Sequence, residues 1–304
     1  MNTNRKLVII LAVIALSSFL VTCKVLAGIA GVGLNVAAAT GVVDQNTANR
    51  VNQSIQNAAE EITPEQEYYI GRAVAANLLT NYKLWNGSPA LVSYLNKICG
   101  AITVNSPKPD VFNGYHVAIL DTQEINAFAT SGGHIFVSRG LINAASSEDA
   151  LAGVIAHEVA HIQLQHSIKA IKNSRITNAL LVTGAAAAQT AGAASGYDLR
   201  ELTSVFSESV GEIVTTMVNN GYSQTQEFDA DTTAMKLMAA AGYNPSGLVA
   251  MLRELARIQT GSSGGFNKTH PTPAQRITNA EKTVNTFRVT DTSSYRGSRF
   301  NAIR

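Results

Sequence analysis

The chain has 304 residues, and its 23 basic and 21 acidic side chains nearly cancel, leaving a formal charge of +2. Only 14% of residues are charged while 46% are hydrophobic, against roughly 25% charged in an average soluble domain; this excludes intrinsic disorder, a coiled coil and a strongly basic nucleic-acid binder. A single long apolar run, at the N-terminus, argues against a polytopic membrane protein, and Cys23 and Cys99 are too few for a disulfide framework.

Arg5 and Lys6 precede an uncharged apolar run from Leu7 to Val21, and Lys24 ends it. That run is shorter than the about 20 residues of a membrane-spanning helix, so residues 1–22 read as a signal peptide. Two cleavage patterns compete. Leu20-Val21-Thr22-Cys23 resembles a bacterial lipobox, which would make Cys23 a lipidated first residue and a lipid anchor, although Thr22 departs from the usual small residue. Val25-Leu26-Ala27 suits ordinary signal peptidase through its small side chain at the cut. Either way the mature protein is expected outside the cytoplasm, in the periplasm or anchored to the outer membrane. Residues 23–62 then read as a Gly/Ala-rich spacer followed by a thinly apolar tether helix carrying Val51, Ile55 and Ile62.

Helix signals dominate the folded part. Thr63-Pro64-Glu65-Gln66 combines an N-cap, a first-turn proline and a capping-box glutamine, predicting a helix to about Thr80. Ser88-Pro89 opens a second, with Leu91, Leu95, Ile98 and Ile102 on one stripe. Cys99 beside that stripe reads as a buried small residue rather than a reactive thiol. Tyr115–Leu120 and His134–Ser138 read as strands, joined through Asn126-Ala127-Phe128 and Gly132-Gly133. The domain is expected to span residues 63–290, with 291–304 as a C-terminal tail.

Residues 146–172 carry the chemistry. Ser146 and Asp149 fit a capping box, and Leu151, Val154, Ile155, Val159 and Ile162 mark a core-facing helix side. His157 and His161, four residues apart, lie a little over one turn from each other, so both imidazoles can address one metal ion. Glu158 is rotated by about 100° from His157 and reaches a water on that ion without ligating it. Two histidines and a water leave a catalytic zinc site one protein ligand short. Downstream, Ser223 and Gln226 form another capping box, and Glu227 and Asp231 share one helix face. Glu227 suits the third ligand and Asp231 an acceptor that orients a ligand histidine; taken alone, the pair would read as an acidic first turn.

His157-Glu158-Val159-Ala160-His161 followed by Glu227-Phe228-Asp229-Ala230-Asp231 resembles metallopeptidase family 48, the gluzincin group. Asn126-Ala127-Phe128-Ala129, the stretch Gly132–Leu141, Tyr222-Ser223 and His270-Pro271-Thr272-Pro273-Ala274-Gln275-Arg276 fit the same family, while Gln224 stands where arginine is more usual. The resemblance covers about residues 63–288 and is nearest to the single-domain bacterial periplasmic BepA/LoiP type. It implies a mostly helical α+β, zincin-like fold with a small sheet. The edge strand of that sheet, taken as Gly133, His134, Ile135, Phe136 and Val137, would line the cleft and receive an extended substrate. It also implies one Zn²⁺ per chain and endopeptidase activity on unfolded or misassembled envelope polypeptides, a protein quality-control role, with no nucleic-acid partner. A zinc-containing chaperone or assembly factor and a lipid-anchored structural protein with a vestigial site are the rival classes.

The remaining candidates divide. His270 either approaches the metal or a developing oxyanion, as the resemblance implies, or is a loop residue. Arg276 either steadies transition-state charge or pairs with a carboxylate. His116 and His134 read as structural, and His166, five residues past His161, as exposed and off the ligand face. Residues 176–220 read as a lid over the cleft or, slightly preferred, as helices packed on the core.

Overall fold

The computed structural model describes residues 62–169, 221–258, 265–270 and 273–303, together with the isolated positions 49, 211, 214 and 215. The chain divides into two compact units, one of residues 63–168 with 205–304 and one of residues 1–62 with 169–204. All the elements below belong to the first. The expected signal peptide, Cys23, the spacer and nearly all of the expected lid at 176–220 lie outside the described residues.

Helix α1 (Pro64–Leu78) begins where its capping box sits: Gln66 N donates to the Thr63 hydroxyl at 3.2 Å, and Thr63 N donates to the Gln66 side chain at 2.9 Å. Helix α2 (Pro89–Val104) is capped by Ser88 and buries Leu95, Ile98, Cys99 and Ile102. Three strands follow: β1 (His116–Leu120), β2 (Ala127–Thr130) and β3 (His134–Ser138). The short β2 corrects the sequence, which makes these residues a connection. All four are buried, so the alternation that normally marks a strand is missing.

The sheet order is β1-β3-β2, with β1 parallel to β3 (His116 beside His134) and β2 antiparallel to it (Phe128 beside Phe136). Residues 134–138 are therefore the central strand, not the edge strand. Their backbone groups are engaged on both sides, and β1 and β2 take the two outer positions. Ser138 then caps the short helix α3 (Arg139–Ala144) by accepting from Leu141 N.

Helix α4 (Glu148–Gln163) is the centre of the domain. Every residue except Asp149 and Gln163 is buried, because α2, β2 and two later helices, α5 (Gln224–Ala240) and α6 (Ser246–Ile258), pack around it. Gly153 and Gly247 allow α6 to approach: a methyl group on Gly153 would lie 2.9 Å from Leu248 Cα, and one on Gly247 2.4 Å from the Asp149 carbonyl carbon. The N-cap of α4 is Ser147, one residue later than the expected Ser146 box. Asp149 cannot fold back to close that box, because its carboxylate accepts from Asn244 N at 2.9 Å and pairs with Arg296 at 3.0 Å.

Helix α5 starts on the expected box, with Gln226 N donating to the Ser223 hydroxyl. The short helix α7 (Phe266–Thr269) and helix α8 (Pro273–Val284) complete the site side. The segment expected as a tail instead forms helix α9 (Ser293–Ile303). Phe300 and Arg296 are buried, and Arg299 pairs with the buried Glu148 at the start of α4. The compact domain therefore continues beyond residue 290. Taken together, the described elements form a mostly helical α+β fold around one small sheet.

Candidate metal centre and active site

His157 and His161 lie one turn apart near the end of α4, and α5 brings Glu227 to them from its first turn. His270 arrives from the residue after α7, an extended position with φ of −131°. Ligand atoms of these four side chains all lie within 4.8 Å of one another, and all four residues are buried. His157 Nε2 is 3.0 Å from His161 Nε2, 3.2 Å from His270 Nδ1 and 3.5 Å from Glu227 Oε2. His161 Nε2 is 3.5 Å and His270 Nδ1 3.1 Å from Glu227 Oε1.

These separations fit a metal ion. A tetrahedral ion with bonds of about 2.0–2.1 Å holds its donors roughly 3.3 Å apart. Two imidazole nitrogens facing each other at 3.0 Å also need a proton or a cation between them. Glu158 Oε1 is buried without a hydrogen-bond partner, its nearest charged neighbour being His270 Nε2 at 3.5 Å, a costly state that a water held beside an ion would relieve. Three nitrogens and a carboxylate form a donor set suited to zinc.

The reverse sides of the ligands are also engaged. Asp231 Oδ1 lies 2.9 Å from His157 Nδ1, which leaves the lone pair of Nε2 facing the cluster. Arg276 holds Asp231 through Nε and Nη2 at 2.8 and 2.7 Å and places Nη1 2.8 Å from Glu227 Oε2. Of the two roles open to Arg276, carboxylate pairing is the one present. His161 Nδ1 meets His166 Nδ1 at 2.8 Å, and the Tyr222 ring stacks on His161 at 4.1 Å. Phe266 stacks on His270 at 4.4 Å.

Hydrogen bonds tie this corner to β2. Phe266 N donates to Ile125 O, the Thr269 hydroxyl donates to Asn126 Oδ1, and Tyr222 N donates to Thr269 O. The segment leading into β2, one of the two outer strands, is thus anchored next to His270.

Proton affinities follow the packing. Burial pushes the Glu158 carboxyl up, although His270 and His157 pull against it. Burial would also raise Glu227, but Arg276 and His270 outweigh it and hold the carboxyl well below its usual range. Asp231, likewise buried, is held at about 2 by Arg276 and His157. Burial and Arg276 oppose charge on His157, yet its bonds to Asp231 and Glu227 carry it to about 9, whereas burial drives His161 well down. Tyr222 is raised by burial and by the Glu158 and Glu227 charges.

The structure therefore brings together His157, Glu158, His161, Glu227, Asp231, His270 and Arg276. It leaves the 133–137 group in the sheet: Ile135, Phe136 and Val137 are buried there, Gly133 turns with a φ of +102°, and His134 stacks on Tyr68 at 5.4 Å. His166 is a correction, being 2% exposed rather than on the surface. Five residues of continuous helix would rotate it away from the ligands, but α4 ends at Gln163 and Gln165 takes a φ of +55°. That turn brings the chain back behind His161. No helical spacing rule signals it.

The sequence pattern described as peptidase family M48 matches residues 93–284. Similar proteins include the metalloprotease LoiP of Escherichia coli K12, 30% identical over 191 residues, which cover 62% of this chain and 70% of LoiP. The β-barrel assembly-enhancing protease of the same organism is 25% identical over 235 residues, covering 76% of this chain and 46% of that protein. The mitochondrial metalloendopeptidase OMA1 of Schizosaccharomyces pombe is 28% identical over 191 residues, or 62% and 52% of the two chains. The chain thus spans less than half of the assembly-enhancing protease and about half of OMA1.

Proposed function

The chain belongs to peptidase family M48, and on that premise we propose that it is a zinc-dependent endopeptidase of the bacterial cell envelope acting on unfolded or misassembled polypeptides. Metalloendopeptidase chemistry comes with the family and with relatives named as metalloproteases. Zinc as the metal, the substrate class and an exported location, with or without a lipid at Cys23, are the proposal. One relative is named for enhancing β-barrel assembly, which supports an envelope setting.

The observation that carries the reading is the buried cluster of His157, His161, Glu227 and His270, whose ligand atoms all lie within 4.8 Å of one another, beside a Glu158 oxygen buried without a hydrogen-bond partner. His157, His161 and Glu227 would hold the ion, with His270 as a further donor beside them. When bound, the ion supplies the positive charge that polarises a carbonyl and makes water easier to deprotonate. Glu158 accepts the water proton and delivers it to the leaving amine; its raised affinity for a proton suits both halves of that task. Asp231 keeps His157 in the tautomer whose Nε2 is free. Arg276 offsets one of the two negative charges of Glu227 and Asp231, so the buried pair stays tolerable while a net negative charge remains to attract a dication.

An extended substrate would pair along β2, the outer strand whose neighbouring residue Asn126 is bonded to Thr269 next to His270. Main-chain pairing reads side chains weakly, which suits unfolded polypeptides of varied sequence.

The test is zinc content together with casein cleavage. Wild type should carry one zinc per chain and cleave. Glu158→Gln should keep the zinc and lose about 10²- to 10⁴-fold in rate. Full activity in that variant would sink the assignment.

A further inference from the structure

We propose that His166 is a positioning residue for the metal site. It accepts the Nδ1 proton of His161 and so fixes the tautomer and ring plane in which His161 offers Nε2. This rests on the metal-site reading above.

The two Nδ1 atoms are 2.8 Å apart, and both rings are buried. At that distance one nitrogen carries the proton and the other accepts it. The direction follows from the opposite side of His161. Its Nε2 faces His157 Nε2 at 3.0 Å and Glu227 Oε1 at 3.5 Å, so that is the atom that must be bare to bind an ion. The His161 proton then sits on Nδ1, and His166 Nδ1 is the acceptor. The rings meet edge to face at 73°, and Tyr222 stacks on His161 at 23° from the other direction. The His161 ring is held both at its rear nitrogen and across its face.

The backbone is built to deliver this contact. Gln165 adopts its left-handed conformation directly before His166, and its side chain is bonded to Glu67 of α1. Gln163, at the end of α4, donates to Ser106 and Tyr115. The turn is therefore pinned on two sides.

The two ligand histidines are supported differently. His157 is backed by a carboxylate whose charge Arg276 compensates. His161 is backed by an imidazole, which accepts a proton without adding charge. Glu158, Glu227 and Asp231 place three buried carboxylates beside one buried arginine; that arginine and a bound dication would balance all three, and a fourth would lack a cation. A neutral acceptor is the choice that charge balance permits.

The test compares wild type, His166→Leu and His166→Asn, stripped of metal and titrated with Zn²⁺ against a chromophoric chelator. Removing the acceptor should weaken zinc binding by about 10- to 100-fold. Asparagine, which can present a carbonyl oxygen, should restore most of the loss. Cobalt-substituted protein should show an altered visible spectrum for the leucine variant and a near wild-type one for asparagine, a change that general destabilisation does not produce. Should the leucine variant fail to fold, long-range ¹H–¹⁵N spectra of zinc-loaded wild type still decide: His161 should be protonated at Nδ1 and His166 at Nε2. A proton on His166 Nδ1, or wild-type zinc affinity in His166→Leu, overturns the role of His166. Wild type that takes up no stoichiometric zinc overturns the metal-site reading, and the role of His166 falls with it.

Discussion

Arg276 grips Asp231 through two nearly parallel hydrogen bonds of 2.7 and 2.8 Å, and neither side chain touches solvent. A third nitrogen of the same guanidinium reaches Glu227 at 2.8 Å. Replacing it strands two buried carboxylates, so Arg276→Met should cost about 3–5 kcal/mol in denaturant unfolding of the metal-free protein. Lysine, a single-point donor, should recover only part of this. A loss below about 1 kcal/mol in the methionine variant would mean that both carboxylates find other partners.

The same pair sets an acid limit. Arg276 and His157 hold the folded Asp231 carboxyl at about 2, below the 3.8 that is ordinary for an aspartate. A depressed carboxylate stabilises the fold above its unfolded value and loses that contribution as pH falls through the folded one. The loss should amount to about 2 kcal/mol between roughly pH 4 and pH 2. Unfolding midpoints of metal-free wild type and Asp231→Asn should therefore converge on acidification; a gap independent of pH would contradict the pairing.

Gly71 lets α1 sit directly on the turn after β2, since a methyl group there would fall 1.5 Å from Ser131 O. Alanine improves helix propensity by about 1 kcal/mol, but the backbone contact should reverse the sign. Gly71→Ala should lose about 2 kcal/mol net. Gly100, in α2 with nothing within 4 Å, is the control: Gly100→Ala should be neutral or stabilising by up to about 1 kcal/mol. Thermal unfolding of the two variants distinguishes these signs.

Removing residues 291–304 should uncover the start of the metal-site helix. Phe300 leaves the core, and Glu148 and Asp149 lose Arg299 and Arg296. Glu148 keeps only its tyrosine contacts, among them Tyr94 at 2.7 Å. The expected loss is at least about 3 kcal/mol, from the aromatic side chain alone. An unchanged unfolding midpoint would show that α9 is dispensable.

Cys99 is buried, in no disulfide, and its thiol is pushed up to about 12 by burial. Thiolate is the reactive form, so the Cys99 peptide should resist iodoacetamide at about pH 8 in native protein and react fully in denaturant. Rapid native labelling, followed by peptide mass spectrometry, would contradict this packing.

Much of the site is visible in local sequence because its parts are local. The boxes Thr63/Gln66 and Ser223/Gln226 close within one helical turn, so their residues suffice to place two helix starts. His157 and His161 share a helix face by spacing alone, and Glu227 and Asp231 do the same on α5. Where a local rule competes with distant partners, it fails. Ser146 gives way to Ser147 because Asp149 is taken by Arg296 and Asn244. β2 escapes detection because both its faces are covered. The tail becomes a helix because two arginines and Phe300 find partners on α4 and in the core.

The near balance of charge was informative for a related reason. Arg5 and Lys6 are the only charged residues before Cys23, so the excess of +2 belongs to the expected leader rather than to the metal-site domain. What the sequence determined by itself was chemistry within a few residues: which helices start where, and which donors share a face. Tertiary structure alone decided strand order, which put 134–138 in the middle and β2 outside. It also decided the environment of each donor, placing Asp231 and Arg276 behind His157 and His166 behind His161. Those contacts join residues far apart in the chain or across a left-handed turn, and no periodicity encodes them.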